Sequence, residues 1–159
     1  MKLVPIGKIR TSFRSKKVTP IQTTQSRETG RAEVFKKYQK GLDDLDGFSH
    51  IILIYWFHRS KGYSLKVTPF LDTVRRGLFS TRYPGRPNQI GISIVELLKR
   101  KGNILYVRGI DVLDNTPLLD IKPYLPQLNP QGKIKVGWLT GKIQKMKSKK
   151  GRKASHQSS

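Results

Sequence analysis

The chain has 159 residues, 36% of them hydrophobic, and sets 32 Lys and Arg against 10 Asp and Glu for a formal charge of +22. That length suits one domain around one core, and that charge predicts a polyanionic partner, either nucleic acid or an anionic membrane surface. The absence of cysteine excludes disulfides, thiolate catalysis and Cys-based zinc sites.

Leu3 to Arg10 predicts a first strand, interrupted by Pro5 and Gly7; proline favours a strand start or an edge. Met1 to Pro5 lacks the apolar stretch of a secretory signal, so a cytoplasmic protein is expected. Thr11 to Arg31 is polar and basic, with almost no aliphatic residue, and reads as a long loop of the functional or disordered kind. Ala32 to Phe35 predicts a short strand. Phe35, Tyr38, Leu42 and Leu45 recur at helical spacing. A short helix ending near Leu45 is expected, weakened at Gly41 by about 1 kcal/mol relative to alanine. Asp43, Asp44 and Asp46 have no companion at ligand spacing and read as a solvated turn.

His50 to His58 is the strongest strand, a continuous β-branched and aromatic run of the type buried on both faces. Its apolar part, Ile51 to Phe57, is far too short to cross a bilayer, so no membrane partner is expected. His50 reads as structural, and with so few histidines and no cysteine nothing supports a metal. Leu65 to Phe70 predicts a short strand stopped by Pro69. The next stretch, Arg76 to Gly91, is unusual for a connection. Pro84 and Pro87 fix φ and remove backbone donors. Gly85 and Gly91 permit backbone angles or close approaches that a Cβ would block. Arg82 and Arg86 ride on this stiff frame, where their forks are aimed at little entropic cost. A rigid turn with solvated arginines would look similar, but rigid loops that present charge commonly carry function.

Ile90 to Leu98 alternates as a strand, Lys101-Gly102-Asn103 reads as a hairpin turn, and Ile104 to Ile110 returns as its partner. Leu118 to Ile121 makes a last short strand after Pro117. Lys133 to Leu139 is either an edge strand or an arm packed through Trp138. From Gly141 the chain holds seven basic residues and no acid, so +15 belongs to the body. The expected division is a domain over 1–140 and a basic disordered tail over 141–159. Many short strands, one short helix and frequent Gly/Pro turns predict a mostly β (α+β), single-domain, barrel-like fold. No βαβ unit with a Gly-rich first turn is present, so a nucleotide-like cofactor would be held by a non-Rossmann device.

Two blocks carry a resemblance. Residues 77–91 read G-L-F-S-T-R-Y-P-G-R-P-N-Q-I-G, and residues 109–124 read G-I-D-V-L-D-N-T-P-L-L-D-I-K-P-Y. In this order they are similar to the signature blocks of the TrmO (TsaA/YaeB-like) family, roughly G-V-F-A-T-R-S-P-x-R-P-N-P-I-G and D-x-x-D-G-T-P-V-x-D-I-K-P-Y. The resemblance covers about residues 3 to 128. It implies an S-adenosylmethionine-dependent methyltransferase, working as a homodimer on the tRNA anticodon loop. The implied target is N6 of (threonylcarbamoyl)adenosine at position 37.

The resemblance also implies site residues. Pro20, Ile21 and Gln22 stand where the family has P-R-Q beside the methyl donor. His58 and Arg59 at the end of the strong strand, Arg82 and Ile92 in the first block, and Asp111, Val112, Leu113 and Asp114 in the second are implied donor contacts. Arg86, Asn88, Asp120, Lys122 and Tyr124 match the pattern as candidates for catalysis or RNA contact. Ile21 replaces an arginine, Gln89 a proline and Asn115 a glycine; asparagine tolerates positive φ.

The chemistry suits these residue types. Methyl transfer from a sulfonium is an in-line displacement governed by positioning. An exocyclic adenine amine is a poor nucleophile, helped by a group that accepts its proton. Carboxylates suit the donor's diol and ammonium, and arginine suits its carboxylate. The basic body supplies phosphate contacts, and Tyr83 and Tyr124 either pack or stack on an unpaired base. An alternative reading is a non-catalytic basic RNA-binding barrel, favoured by the three departures.

Overall fold

Alternation with period two builds the fold. In the computed structural model, which describes residues 1–14, 27–70 and 72–142, six strands turn their aliphatic side chains to one interior. They are β1 (Gly7–Arg10), β2 (Thr29–Val34), β3 (His50–Trp56), β6 (Ile90–Lys101), β7 (Ile104–Arg108) and β8 (Thr116–Pro123). They close in the order β1-β2-β7-β6-β3-β8, with β8 returning to β1 and every neighbour antiparallel. A separate ribbon pairs β4 (Lys66–Val67) with β5 (Arg76–Gly77). The architecture is the mostly β barrel the sequence predicts.

Ile9, Ala32, Val34, Ile51, Leu53, Val95, Leu105, Val107 and Leu118 fill the interior. Leu42 and Leu45 close one end, and Ile110 and Val112 close the other. The barrel is therefore a packed core and not a pore.

Several elements differ from the expectations. β1 begins at Gly7, after Pro5, not at Leu3. β2 starts at Thr29, inside the stretch read as loop; its first residues face solvent and so lack an apolar signature. The expected helix is a pair of 3-10 pieces, Lys36–Leu42 and Leu45–Gly47. Asp44 breaks them with a left-handed φ of 66°. Leu42 ends the first piece and Leu45 begins the second, and both are buried against the barrel. Asp43 and Asp46 do not simply face water: Arg100 of β6 reaches both, at 3.6 and 3.4 Å.

β3 is not buried on both faces. Ile51, Leu53 and Tyr55 point inward, while Ile52 and Ile54 are half-buried and Trp56 is exposed. The run is continuously apolar because its outer face is apolar too. β6 sets Ile94, Ile92 and Ile90 opposite those three residues, and all three isoleucines are exposed. β8 includes Pro117 near its start and carries an irregularity that sets Leu118 opposite Tyr55 but Asp120 opposite Ile54. Lys133 to Leu139 forms no strand; a 3-10 turn at Gly137–Leu139 docks Trp138, which is the arm alternative. The hairpin turn is Gly102-Asn103, with Gly102 at φ 59°.

The strand directions decide what can meet. β1, β3 and β7 end at one rim, where β2, β6 and β8 begin. The connections over 11–28, 57–89 and 109–115 all leave from that rim.

Candidate functional site

Each connection at this rim carries one of the sequence-predicted motifs. Pro20, Ile21 and Gln22 lie in the first of them but outside the described residues, as does the tail after Lys142. The other two connections bring Arg82 beside Asp111 and Arg59 beside Asp114, while His58 lies against Trp56.

Asp111 sits at the centre of this arrangement. Burial pushes its carboxyl up to about 6, against the opposing pull of the Arg82 charge and the Ser93 hydroxyl. Ser93 is buried and faces inward on β6, and its Oγ lies 2.8 Å from the Tyr55 hydroxyl. Burial pushes that phenol up to about 12, so it stays protonated. Tyr55, Ser93 and Asp111 thus run as a polar column from the barrel interior to the rim. Arg82 comes beside it by donating to the Ile92 carbonyl at 3.0 Å. Ile92 itself points its side chain outward, so its backbone is what faces the arginine. His58 stacks edge-on against Trp56. Partial burial, reinforced by the adjacent Arg59 charge, favours its neutral imidazole.

Asp114 is buried and points elsewhere. It accepts from the Thr11 backbone N–H at 3.0 Å and from Arg14 at 2.8 Å, with Arg10 at 3.4 Å. Its own N–H donates to the Phe13 carbonyl at 2.7 Å. Val112 is packed in the core while its carbonyl accepts from the Thr11 hydroxyl. The Leu113 carbonyl accepts from Thr116. The second block is therefore sewn to the start of the β1–β2 connection. Asn115 occupies φ 67°, the left-handed conformation in which asparagine is tolerated, and its N–H donates to the Ile9 carbonyl at 2.8 Å. A polar cavity of about 260 Å³ opens here, lined by Arg10, Arg14, Arg59, Asp114 and Asn115.

Arg86 is not aimed outward. It donates to the carbonyls of Thr81 and Tyr83 at 3.0 and 3.1 Å and lies over the Phe79 ring. It braces the loop that carries Arg82. The carbonyl of Gln89 accepts from Phe57 at 2.8 Å, a backbone bond that does not depend on the missing proline. Asn88 accepts through its carbonyl from Ile90.

Asp120, Lys122 and Tyr124 are not brought to this rim. Asp120 and Lys122 pair at 3.0 Å on the outer wall. Tyr124 is at the far end of the barrel, edge-on to His50 and bonded to Asn129 at 2.6 Å.

A clasp that sequence reading noticed only as a packed tryptophan holds the loop from outside. Trp138 Nε1 donates to the Ser80 carbonyl at 2.8 Å. Arg76 and Lys142 lie over its ring at 5.5 and 5.3 Å. Asp72 joins the two cations, at 2.7 Å from Arg76 and 3.0 Å from Lys142. Bonds from Lys142 and then Arg76 hold its carboxyl well below the usual range. Trp138→Ala is expected to speed amide exchange over Leu78 to Tyr83 at least tenfold while leaving β3 and β6 protected. Unchanged exchange in that loop would remove the clasp.

Ser93, Tyr55, Thr11, Arg10 and Arg14 belong to neither signature block, yet the fold brings them to the site. The available signal was Ser93, a small polar residue at an inward position of an otherwise apolar alternation.

A profile of the tRNA-methyltransferase O N-terminal domain matches residues 8–129. The chain is 48% identical over 143 residues to a probable S-adenosyl-L-methionine-binding protein of Pyrococcus abyssi, covering 89% of this chain and 78% of that protein. It is 40% identical over 143 residues to the tRNA (adenine(37)-N6)-methyltransferase of Rattus norvegicus, covering 81% of this chain and 33% of that one. The crystal structure of TrmO from Pseudomonas aeruginosa superposes with a TM-score of 0.72 at 33% identity, over 87% of this chain and 62% of that chain. The chain thus spans about three fifths of that solved protein and a third of the rat enzyme.

Proposed function

The chain belongs to the tRNA-methyltransferase O family, and from that membership we propose that it is an S-adenosylmethionine-dependent methyltransferase acting on N6 of adenosine 37, in the tRNA anticodon loop. The threonylcarbamoyl form of that nucleoside is the proposed acceptor, in keeping with the two signature blocks, and the proposed setting is the cytoplasm. The observation that carries the reading is the convergence of the Arg82 loop and the Asp111 loop on one rim, over a buried Ser93 and Tyr55.

S-adenosylmethionine supplies an electrophilic methyl group on a sulfonium. The donor set at the rim fits it. Asp111, once ionised, accepts from an ammonium or a ribose diol. Arg82 offers a cationic fork for a carboxylate. His58, kept neutral, accepts a proton released near the rim. Titration calorimetry with S-adenosylmethionine tests donor binding, and labelled donor with total tRNA, digested to nucleosides, identifies the product. Tight tRNA binding with no donor binding would favour the non-catalytic barrel instead. Asn115, already at home in its left-handed turn, lends that alternative no support.

Asp111 should cost the fold stability. Between about pH 4 and 6 the folded state keeps a proton that the unfolded state has released. Stability therefore falls as pH rises through that window, by at most about 3 kcal/mol, and stays lower above it. Asp111→Asn is expected to raise the melting temperature at pH 7.5 but not at pH 3.5, and to weaken donor binding at least tenfold. Equal melting at both pH values would refute the burial argument.

The apolar stripe of Ile52, Ile54, Trp56, Ile90, Ile92 and Ile94 supports a homodimer through β3 and β6, because a patch of this kind on a soluble protein marks an interface. Ile94→Glu is expected to shift the protein to a monomer in light scattering. A dimer that survives this change would place the interface elsewhere.

A further inference from the structure

The outer wall formed by β1, β2, β7 and β6 carries a row of charge that the donor site does not use. In register, Arg10 stands opposite Arg31, Arg31 opposite Tyr106, and Tyr106 opposite Lys99. Residues directly opposite share a face, and their neighbours Ile9, Ala32, Leu105 and Val107 point into the core, so all four face outward. At about 4.8 Å per strand the row is about 14 Å long. A cavity of about 500 Å³ follows it, with Arg10, Arg14, Thr29, Arg31, Lys99 and Tyr106 in its lining.

The charge along this groove is unbalanced. Among the described residues, four cations share one lining carboxylate, Asp114, which both Arg10 and Arg14 approach. Arg31 has Glu33 at 3.4 Å, but both side chains are well exposed, and such a pair is weak and yields to a stronger anion. Lys99 is an exposed residue whose ammonium rests over the Tyr106 ring at 4.8 Å. Arg10, Arg14 and Asp114 also line the smaller cavity that contains Arg59, so the groove leads from the barrel wall to the rim. It is centred on β2 and β7, whereas the apolar stripe lies across β3 and the first half of β6.

We propose that this groove is a track for the phosphodiester backbone of the RNA substrate, holding consecutive phosphates as the strand runs to the rim. The proposal rests on the tRNA-methyltransferase reading. A ligand for this row must be a repeating anion, because the cations recur along a line instead of converging on one point. Nucleic acid offers that repeat, with one charge per about 3.4 Å of axis on each strand. Guanidinium forks suit its paired phosphate oxygens, and Tyr106 offers a face to a base once Lys99 moves to a phosphate.

The test is the double variant Arg31→Gln/Lys99→Gln against native tRNA carrying the threonylcarbamoyl group, by fluorescence anisotropy from 50 to 200 mM KCl. S-adenosylmethionine calorimetry is run in parallel. The expected result is at least tenfold weaker tRNA binding and a log K against log salt slope shallower by about 1.5, as for two lost phosphate contacts, with donor binding unchanged. Arg31→Lys/Lys99→Arg is expected to restore the slope, which a merely structural role would not predict. If wild-type protein binds tRNA and the Gln variant keeps its slope, the groove is overturned and the methyltransferase reading stands. If the Gln variant also loses donor binding, its effect runs through the rim and the groove is likewise overturned. If wild-type protein binds donor but no tRNA, the tRNA reading falls and takes the groove with it.

Discussion

Replacing Gly91 by alanine is expected to lower stability by about 3 kcal/mol, near the top of the range for overpacking a core. A Cβ there would overlap the Tyr55 ring and lie 2.8 Å from Phe57. The two rings are locked edge to face at 5.5 Å, and Tyr55 cannot retreat because it is 3% exposed and bonded to Ser93. For a domain of this size the change corresponds to a melting temperature lower by roughly 6–12 °C. The displaced phenol would also disturb the polar column beneath Asp111, so donor binding should fall with stability. Gly85→Ala is the control. Its Cβ would approach the exposed Tyr83 ring at 3.2 Å and touch the Gly62 carbonyl at an ordinary 3.4 Å, and it should melt within about 2 °C of the parent. If Gly91→Ala matched the parent as well, the packing of Tyr55 on β6 would be wrong.

Asp114→Ala is the second large effect. The carboxylate is nearly buried and accepts from Thr11 N–H and from Arg14, with Arg10 close by. Removing it strands a buried N–H and takes the carboxylate from two arginines that both approach it. An unsatisfied buried donor costs about 1–3 kcal/mol. Both arginines can turn to water, which keeps the charge penalty well below that of a fully buried pair. A loss of roughly 2–3 kcal/mol is expected, with release of the β1–β2 connection seen as faster amide exchange at Thr11 and Phe13. Asp114→Asn keeps an acceptor for Thr11 and should recover about half of the loss. Identical melting of the alanine variant and the parent would refute the anchoring role. This outcome differs from that of a residue that only touches a ligand: Asp114 acts on the site by holding two of its loops together.

The barrel was legible in the sequence because each strand writes its inward face in Ile, Val and Leu. The closure order was not, since pairing of β1 with β8 and of β2 with β7 depends on contacts far apart in the chain. The apolar run of β3 was read as two-sided burial; a one-sided strand with an apolar outer face gives the same letters. Arg86 was legible as a residue on a stiff loop, but its direction was not. Three backbone carbonyls within reach of its fork, from Leu78, Thr81 and Tyr83, turn it inward. The second block was legible as a group of acids, yet only coordinates separate Asp111, desolvated at the rim, from Asp114, consumed in anchoring. Lys122 and Tyr124 belong to the same block in sequence. The length of β8 carries them to the other end of the barrel.

The tryptophan clasp gives the molecule two scales of cohesion. The arm and the Arg82 loop lean on each other through one indole, one carboxylate and two cations, whereas the strands are stitched all the way round. On warming, the clasp should come undone first, so the protein should fall silent at temperatures where its circular dichroism still looks native. A strain applied at Lys142 would be felt first at the arginine loop, long before the wall of strands gave way.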